Sequence, residues 1–295
     1  MIEDILINGA MTSGTLALLA LGFTLIYGVA EVVNMSHGAL YMVGAYLFFV
    51  FTTIFPIDLL LAFVLAVVLT GILGAIIYRL AIHPVVDDLL ASLVITVGVT
   101  IIIQELTIIS FGSYRKPVPS FAQGFLTLAG VKVPNATFLA FVVSLILFGG
   151  LWIFLAKVKI GKAMRAVAQD HEVAMLMGIN TERLYMLTMG ISATLAALAG
   201  VLITASTTRL AYPHMWDTPL YLSFSIVILG GLGSVKGTLV GALIIGYAEE
   251  IFVTLSTLYL PGGGFLKGVV AMAIMMTVLL LRPKGLFGKR IEMEE

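Results

Sequence analysis

Five polar stretches in a largely apolar chain hold the residues that could do chemistry. The first is Glu31-Val32-Val33-Asn34-Met35-Ser36-His37-Gly38. It fits a transport pathway, a helix break beside one, or a cytoplasmic turn with a solvated Glu and His. Glu31 and Asn34 are three apart and share a face if the helix continues through them. Gln104-Glu105 and Glu249-Glu250 sit late in two hydrophobic runs. Carboxylates inside a span are costly unless paired or hydrated. These pairs therefore read as outer-face groups, either interfacial carboxylates in headgroup water or contacts for a docked protein or an entering substrate. A glycine-rich run, Gly230-Gly231-Leu232-Gly233-Ser234-Val235-Lys236-Gly237, splits two more hydrophobic segments.

The fifth stretch, 157–185, is the most charged. Lys157, Lys159, Lys162, Arg165, Asp170, Glu172, Glu182 and Arg183 make it unfit to span a bilayer. It still has helical order: Met164, Val167, Ala168 and Met175 recur at three-and-four spacing. Asp170 can cap a short second helix that holds Glu172 in its first turn and stops at Gly178, and Asn180 or Thr181 can cap the next membrane helix. The spacing predicts a structured helical elbow protruding from a membrane protein.

These stretches do not assemble into an enzyme. No H-E-x-x-H, G-x-S-x-G or G-x-x-x-x-G-K-[ST] occurs, so neither those chemistries nor ATP binding by a P-loop is expected of this chain. His37, His83, His171 and His214 are scattered without ligand spacing, so no metal site and no cofactor is expected. With Cys 0, disulfides and thiolate sites are excluded. A net charge of zero implies no nucleic-acid surface.

The elements that must position these groups are membrane helices. The chain has 295 residues, 60% hydrophobic and only 11% charged, against about 25% in soluble domains. It reads as an all-α polytopic protein, one transmembrane domain over 1–295, with about eight to nine helices, some of them broken. The hydrophobic runs are about 9–30, 36–55, 57–79, 90–110, 137–156, 186–208, 219–232, 238–256 and 265–281. The acidic start, Met1-Ile2-Glu3-Asp4, lacks the basic region of a cleaved signal. Alternating sides with the elbow inside puts Arg79, Lys157, Lys159, Lys162, Arg165, Arg183, Lys236, Arg282, Lys284, Lys289 and Arg290 inside. Only Arg115, Lys116, Lys132, Arg209 and Lys267 are left outside. That asymmetry favours an external N-terminus and a cytoplasmic C-terminus. A faint parallel repeat relates Leu21–Gly28 to Leu222–Gly230, and His37–Leu40 to Lys236–Leu239. Interrupted helices at matching places in two halves point to a transport pathway. Gly190, Ala193, Ala196, Ala197 and Gly200, and then Gly237, Gly241 and Gly246, read as close-packing positions.

Three of these stretches also carry a resemblance. Glu172-Val173-Ala174-Met175-Leu176-Met177-Gly178-Ile179 resembles the E-A-A-x-x-x-G-I loop of ABC-importer permeases, with Val173 where Ala is usual. Asn34-Met35-Ser36-His37-Gly38-Ala39-Leu40-Tyr41-Met42-Val43-Gly44-Ala45-Tyr46 resembles a run characteristic of the branched-chain amino-acid permeases, as does the segment from Ile228 to Gly246. The chain is thereby similar to the LivH-type permeases of branched-chain amino-acid ABC importers. The resemblance implies an ABC-importer permease fold in a cell (inner or plasma) membrane, with Arg165, Asp170, Glu172, Ala174 and Gly178 in an ATPase-coupling elbow. It implies a second, similar permease, two cytoplasmic ATPase subunits and an external substrate-binding protein as partners. Leucine, isoleucine and valine are the implied substrates. Urea and short-chain amide permeases share the same motifs, and a stand-alone secondary carrier, with Glu31, Glu105 and Glu249 as its only candidate ion ligands, is the rival from another class.

Overall fold

The computed structural model describes residues 2–259, 267–282 and 285–287. A lipid-facing backbone has to satisfy its own polar groups, and most of the described chain is helical. α1 (Ile2–Ala30) leads through an irregular stretch, 31–36, into α2 (His37–Phe49), which closes in a π-helical turn, Val50–Ile54. α3 (Leu59–Ile77) ends likewise in a π turn, Tyr78–Ile82. α4 (Leu89–Phe111) and α5 (Asn135–Lys157) follow, then the short α6 (Lys159–Val167) and α7 (His171–Leu176). α8 (Thr181–Ile203), α9 (Asp217–Gly230), α10 (Val235–Tyr259) and α11 (Lys267–Leu281) complete the order. The starts are set by caps. Asp58 accepts from Leu60 N and Leu61 N (3.0 and 3.2 Å), and Asp88 from Leu90 N and Ala91 N (2.9 and 3.0 Å).

α1 is the axis of the bundle, with Leu18, Ala20, Leu21, Phe23 and Ile26 fully buried. α10 runs antiparallel along its whole length. At one end Gly28 lies against Gly233 and the Thr24 and Thr238 hydroxyls are 2.5 Å apart. At the other, Ser13 abuts Gly246 and Tyr247 Oη donates to Leu6 O (3.2 Å). α8 packs on α1, α2 and α3 through its small residues. Ala193 meets Gly74, Ala197 meets Gly44, and Gly200 lies against the backbone of Tyr41, as close helix contact in lipid requires. α3, α4 and α5 turn Leu60, Leu90, Ile101, Ile109, Ile146 and Trp152 outward, where lipid is the solvent.

Among the described residues, seven helices are long and apolar enough to cross a membrane. α9, with 14 residues, is about 21 Å long and falls short of the ~30 Å hydrocarbon core, and α11, with 15, is also short. The run expected at 219–232 is therefore a half-span. The polar segment after α4 is no span either, but it is not featureless. β2 (Phe125–Leu128) and β3 (Val131–Pro134) form a hairpin, and β1 (Lys116–Pro117) pairs with β4 (Leu210–Ala211). The hairpin turns at Ala129-Gly130, both at positive φ (47° and 83°), and seats Val131 and Val133 on Met11 of α1. Of the tail placed inside on charge grounds, Lys284, Lys289 and Arg290 lie outside the described residues.

Candidate functional site

The elbow folds as its spacing predicts. α6 buries Gly161, Met164 and Val167, with Gly161 tight against the backbone of Phe154 and Leu155. Arg165 Nη2 donates to Ala156 O (3.3 Å), so its cation sits at the carbonyl end of α5. Asp170 caps α7 by accepting from Val173 N (3.0 Å), and Asn180 caps α8 by accepting from Arg183 N (2.9 Å). Gly178 ends α7 at φ 83°, its N–H donating to Met175 O (2.9 Å). The inward stripe differs from expectation in two places. Ala168 is exposed just past the end of α6, and Met175 is exposed because the turn at Asp170 rotates α7 and brings Ala174 inward instead. The outward face of α7 is apolar: Val173 is 52%, Leu176 86% and Met177 79% exposed. Asp170→Ala should cost about 1 kcal/mol of local stability, read as roughly fivefold slower uptake, whereas Asp170→Asn caps equally well and should stay near wild type.

The first break is an unwinding that goes back into the protein. Glu31 adopts φ 53°, so the helix does not continue and Glu31 and Asn34 do not share a helical face. Glu31 is exposed at the elbow end. The chain then climbs beside α1 until His37 Nε2 meets Leu19 O at 2.9 Å. Leu19 lies about 16 Å up the axis from Ala30, so α2 begins deep inside. Asn34, Ser36 and His37 are all fully buried. Asn34 Oδ1 accepts from Ser36 N (3.0 Å) and Ser36 Oγ (2.6 Å), while its Nδ2 donates to Met189 Sδ (3.4 Å). A backbone carbonyl only accepts, so His37 carries its proton on Nε2. Of the readings open for this stretch, a solvated side chain describes Glu31, which is exposed, but not His37, which is fully buried.

The second break is a tight corner at the elbow end. Gly231 and Gly233 take φ 100° and 77°, and Gly230 and Gly237 meet backbone to backbone. Gly233 touches Gly28, so the two interruptions, about two hundred residues apart in sequence, are neighbours. Leu286 N and Phe287 N donate to Leu229 O and Gly230 O (2.9 and 3.0 Å), which brings the described end of the chain to the same corner. The N-terminus of α9 lies deep: Gly38 packs against Trp216 O. A cavity of about 870 Å³ opens between the elbow, the end of α1, the α3–α4 connection and the start of α8. Glu31, Asp87, Asp170, Glu172 and Glu182 line it together, with His83 and His171. Arg79 pairs with Glu182, which also has His83 Nε2 at 3.3 Å, tying α3 to α8 beside the cavity. The interrupted helix and the elbow thus share one mouth.

A model of the family described as "Branched-chain amino acid transport system / permease component" matches residues 5–279. The chain belongs to that family. It is 32% identical to the high-affinity branched-chain amino acid transport system permease protein BraD of Pseudomonas aeruginosa, covering 96% of this chain and 95% of that one. It is 33% identical to LivH of Escherichia coli K12 (96% and 94% covered). A probable LivH of Methanocaldococcus jannaschii is 32% identical, with 97% and 93% covered. The solved structure titled PsaBC from Streptococcus pneumoniae in complex with Fab shares the fold, with TM-score 0.52, 14% identity and 95% and 92% of the chains covered. This is a multi-pass membrane protein and the permease of an ABC importer.

The outer-face candidates of this permease separate. Gln104 is half-buried and accepts from Trp216 Nε1 (2.5 Å), bracing α4 against the chain leading into α9. Its Nε2 donates to Glu105 Oε1 (3.3 Å), and Glu105 itself is exposed. Glu249 is 1% exposed, so it sits within the protein rather than in headgroup water, with Glu250 half-buried beside it. Among the described residues no group of three His, Cys, Asp or Glu could hold a metal ion. The residues that motif reading missed are hydroxyls: Ser192 Oγ donates to Gly22 O (2.7 Å), and Thr96 and Thr100 of α4 bond the unwound stretch. Their signal was present as Ser92, Thr96 and Thr100, one turn apart in an apolar helix.

Proposed function

We propose that this permease translocates leucine, isoleucine and valine delivered by an external binding protein, driven by ATP hydrolysis in two separate ATPase subunits. The observation that carries this reading is the elbow. A capped, rigid pair of short helices buries Met164 and Val167 against the bundle and presents Val173, Leu176 and Met177 outward on a charged segment that cannot face lipid. Such a surface is built to be covered by another protein, and the fit is the cytoplasmic ATPase. Arg165, Asp170, Glu172, Ala174 and Gly178 shape and hold that contact. A second, similar permease completes the pore, the N-terminus is outside and the C-terminus cytoplasmic. Glu31, Asn34, Ser36, His37 and Gly38, with Gly230, Gly231 and Gly233, are the helix interruptions beside the path. Gln104, Glu105, Glu249 and Glu250 mark its outer half. Branched-chain amino acids are preferred to urea or short-chain amides because the relatives covering nearly the whole chain are named for the former.

The test is tagged purification from native membranes in mild detergent, followed by uptake in cells. A P-loop ATPase and a second permease should co-elute, and uptake of radiolabelled leucine should exceed that of urea and acetamide. Uptake should stop on ATP depletion with ion gradients clamped. A chain that elutes alone and carries leucine through ATP depletion would be a secondary carrier.

A further inference from the structure

Buried peptide groups released by an unwound helix need partners from elsewhere in the fold. In the stretch 31–36 the local groups find some of their own: Glu31 N donates to Tyr27 O (2.9 Å) and His37 N to Asn34 O (3.3 Å). Met35 does not. Its N–H donates to Thr96 Oγ1 (3.1 Å), and its carbonyl lies 3.2 Å from Thr100 Oγ1 as an acceptor. Thr96 Oγ1 is also 3.4 Å from Val33 O, and its one proton is shared between that carbonyl and Leu93 O at 3.0 Å. Thr100 likewise divides its proton between Met35 O and Thr96 O (2.9 Å). Both threonines are buried, at 0% and 2% exposure.

α4 is otherwise inverted. Its buried residues are Ser92, Thr96, Thr100 and Thr107, all hydroxyls, while Leu90, Val94, Ile101 and Ile102 face outward. Ser92 and Thr107 bond carbonyls of their own helix (2.9 and 2.8 Å). Of these four hydroxyls, Thr96 and Thr100, one helical turn apart, reach out of α4 to hold another segment, and they hold the one residue between Asn34 and Ser36. That residue's neighbours carry the rest of the buried network, from Ser36 through Asn34 to Met189 on α8.

We propose that Thr96 and Thr100 are positioning residues of the permeation path: a hydroxyl pair on α4 that holds the peptide of Met35 and so fixes the unwound segment carrying Asn34, Ser36 and His37. α4 and the break then move as one unit when the transporter switches. This rests on reading the break as part of the path.

The experiment compares Thr96→Val/Thr100→Val with Thr96→Ser/Thr100→Ser in the full-length permease, expressed with its transporter partners. Valine keeps the shape and removes the hydroxyl, whereas serine keeps the hydroxyl. The valine pair should lower the maximal rate of radiolabelled leucine uptake about tenfold or more, with the serine pair above half of wild type. The chain contains no cysteine, so Met35→Cys is the single thiol of this chain, labelled in the same membranes and read on the purified tagged permease. N-ethylmaleimide should label it several-fold faster in the valine pair than with threonines or serines. Wild-type uptake with the valine pair overturns the proposal, as does a serine pair as defective as the valine pair. If the parent chain moves no leucine, the substrate reading fails separately and labelling still decides: equal rates in all three backgrounds overturn the clamp.

Discussion

Gly178→Pro should reduce uptake about a hundredfold or more while the protein remains inserted in the membrane. Gly178 sits at φ 83°, and its N–H closes α7 on Met175 O. Proline fixes φ near −65° and has no N–H, so it removes both features at a cost of about 3 kcal/mol or more. Nothing packs within 4 Å of where a side chain at 178 would start, so the bundle itself is untouched. The damage is confined to the angle at which Leu176 and Met177 are presented. Gly178→Asn, which tolerates the left-handed region, should retain a large part of the activity. Membrane fractionation controls insertion. Normal uptake by the inserted proline variant would remove the elbow from the mechanism.

Gly38→Val should act through stability instead. A Cβ at 38 runs into Trp216 O and to 3.0 Å from the Leu220 side chain, where the deep ends of α2 and α9 meet. The obstacle is backbone, which cannot rotate away, and overpacking of this kind costs about 1–3 kcal/mol or more. The detergent-purified protein should lose about 5 °C or more in its thermal midpoint and part of its monodisperse peak. Gly98→Val is the control: no atom lies within 4 Å of a Cβ there, and the midpoint should not move. Equal midpoints for both variants would show that the α2–α9 junction is not close-packed.

Much of this protein is legible in its sequence because lipid leaves few options. Long apolar runs have to be helices, and α3, α4 and α5 lie close to where hydropathy puts them. The elbow is legible for a different reason: its caps are local. Asp170 and Asn180 bond residues three positions on, and Gly178 needs only its own φ. Those interactions are complete within a few residues and survive being read one residue at a time.

The contents of the first break were not legible. Glu31 and His37 both look like solvated turn residues, yet one is exposed and the other fully buried. What separates them is a carbonyl on α1, eighteen residues back from His37, and hydroxyls on α4, more than sixty residues ahead of the Met35 they bond. Hydropathy likewise marked 219–232 as a hydrophobic run without deciding whether it crosses, and its start deep against Gly38 makes it a half-span. The elbow and the break share a cavity only because α1, the α3–α4 connection and the start of α8 converge there. The sequence by itself determined the membrane class, the helices, the elbow and its caps, because lipid and neighbouring residues are their partners. Tertiary structure alone decided which polar groups are buried, what satisfies them and where the two breaks meet, because those partners lie far along the chain.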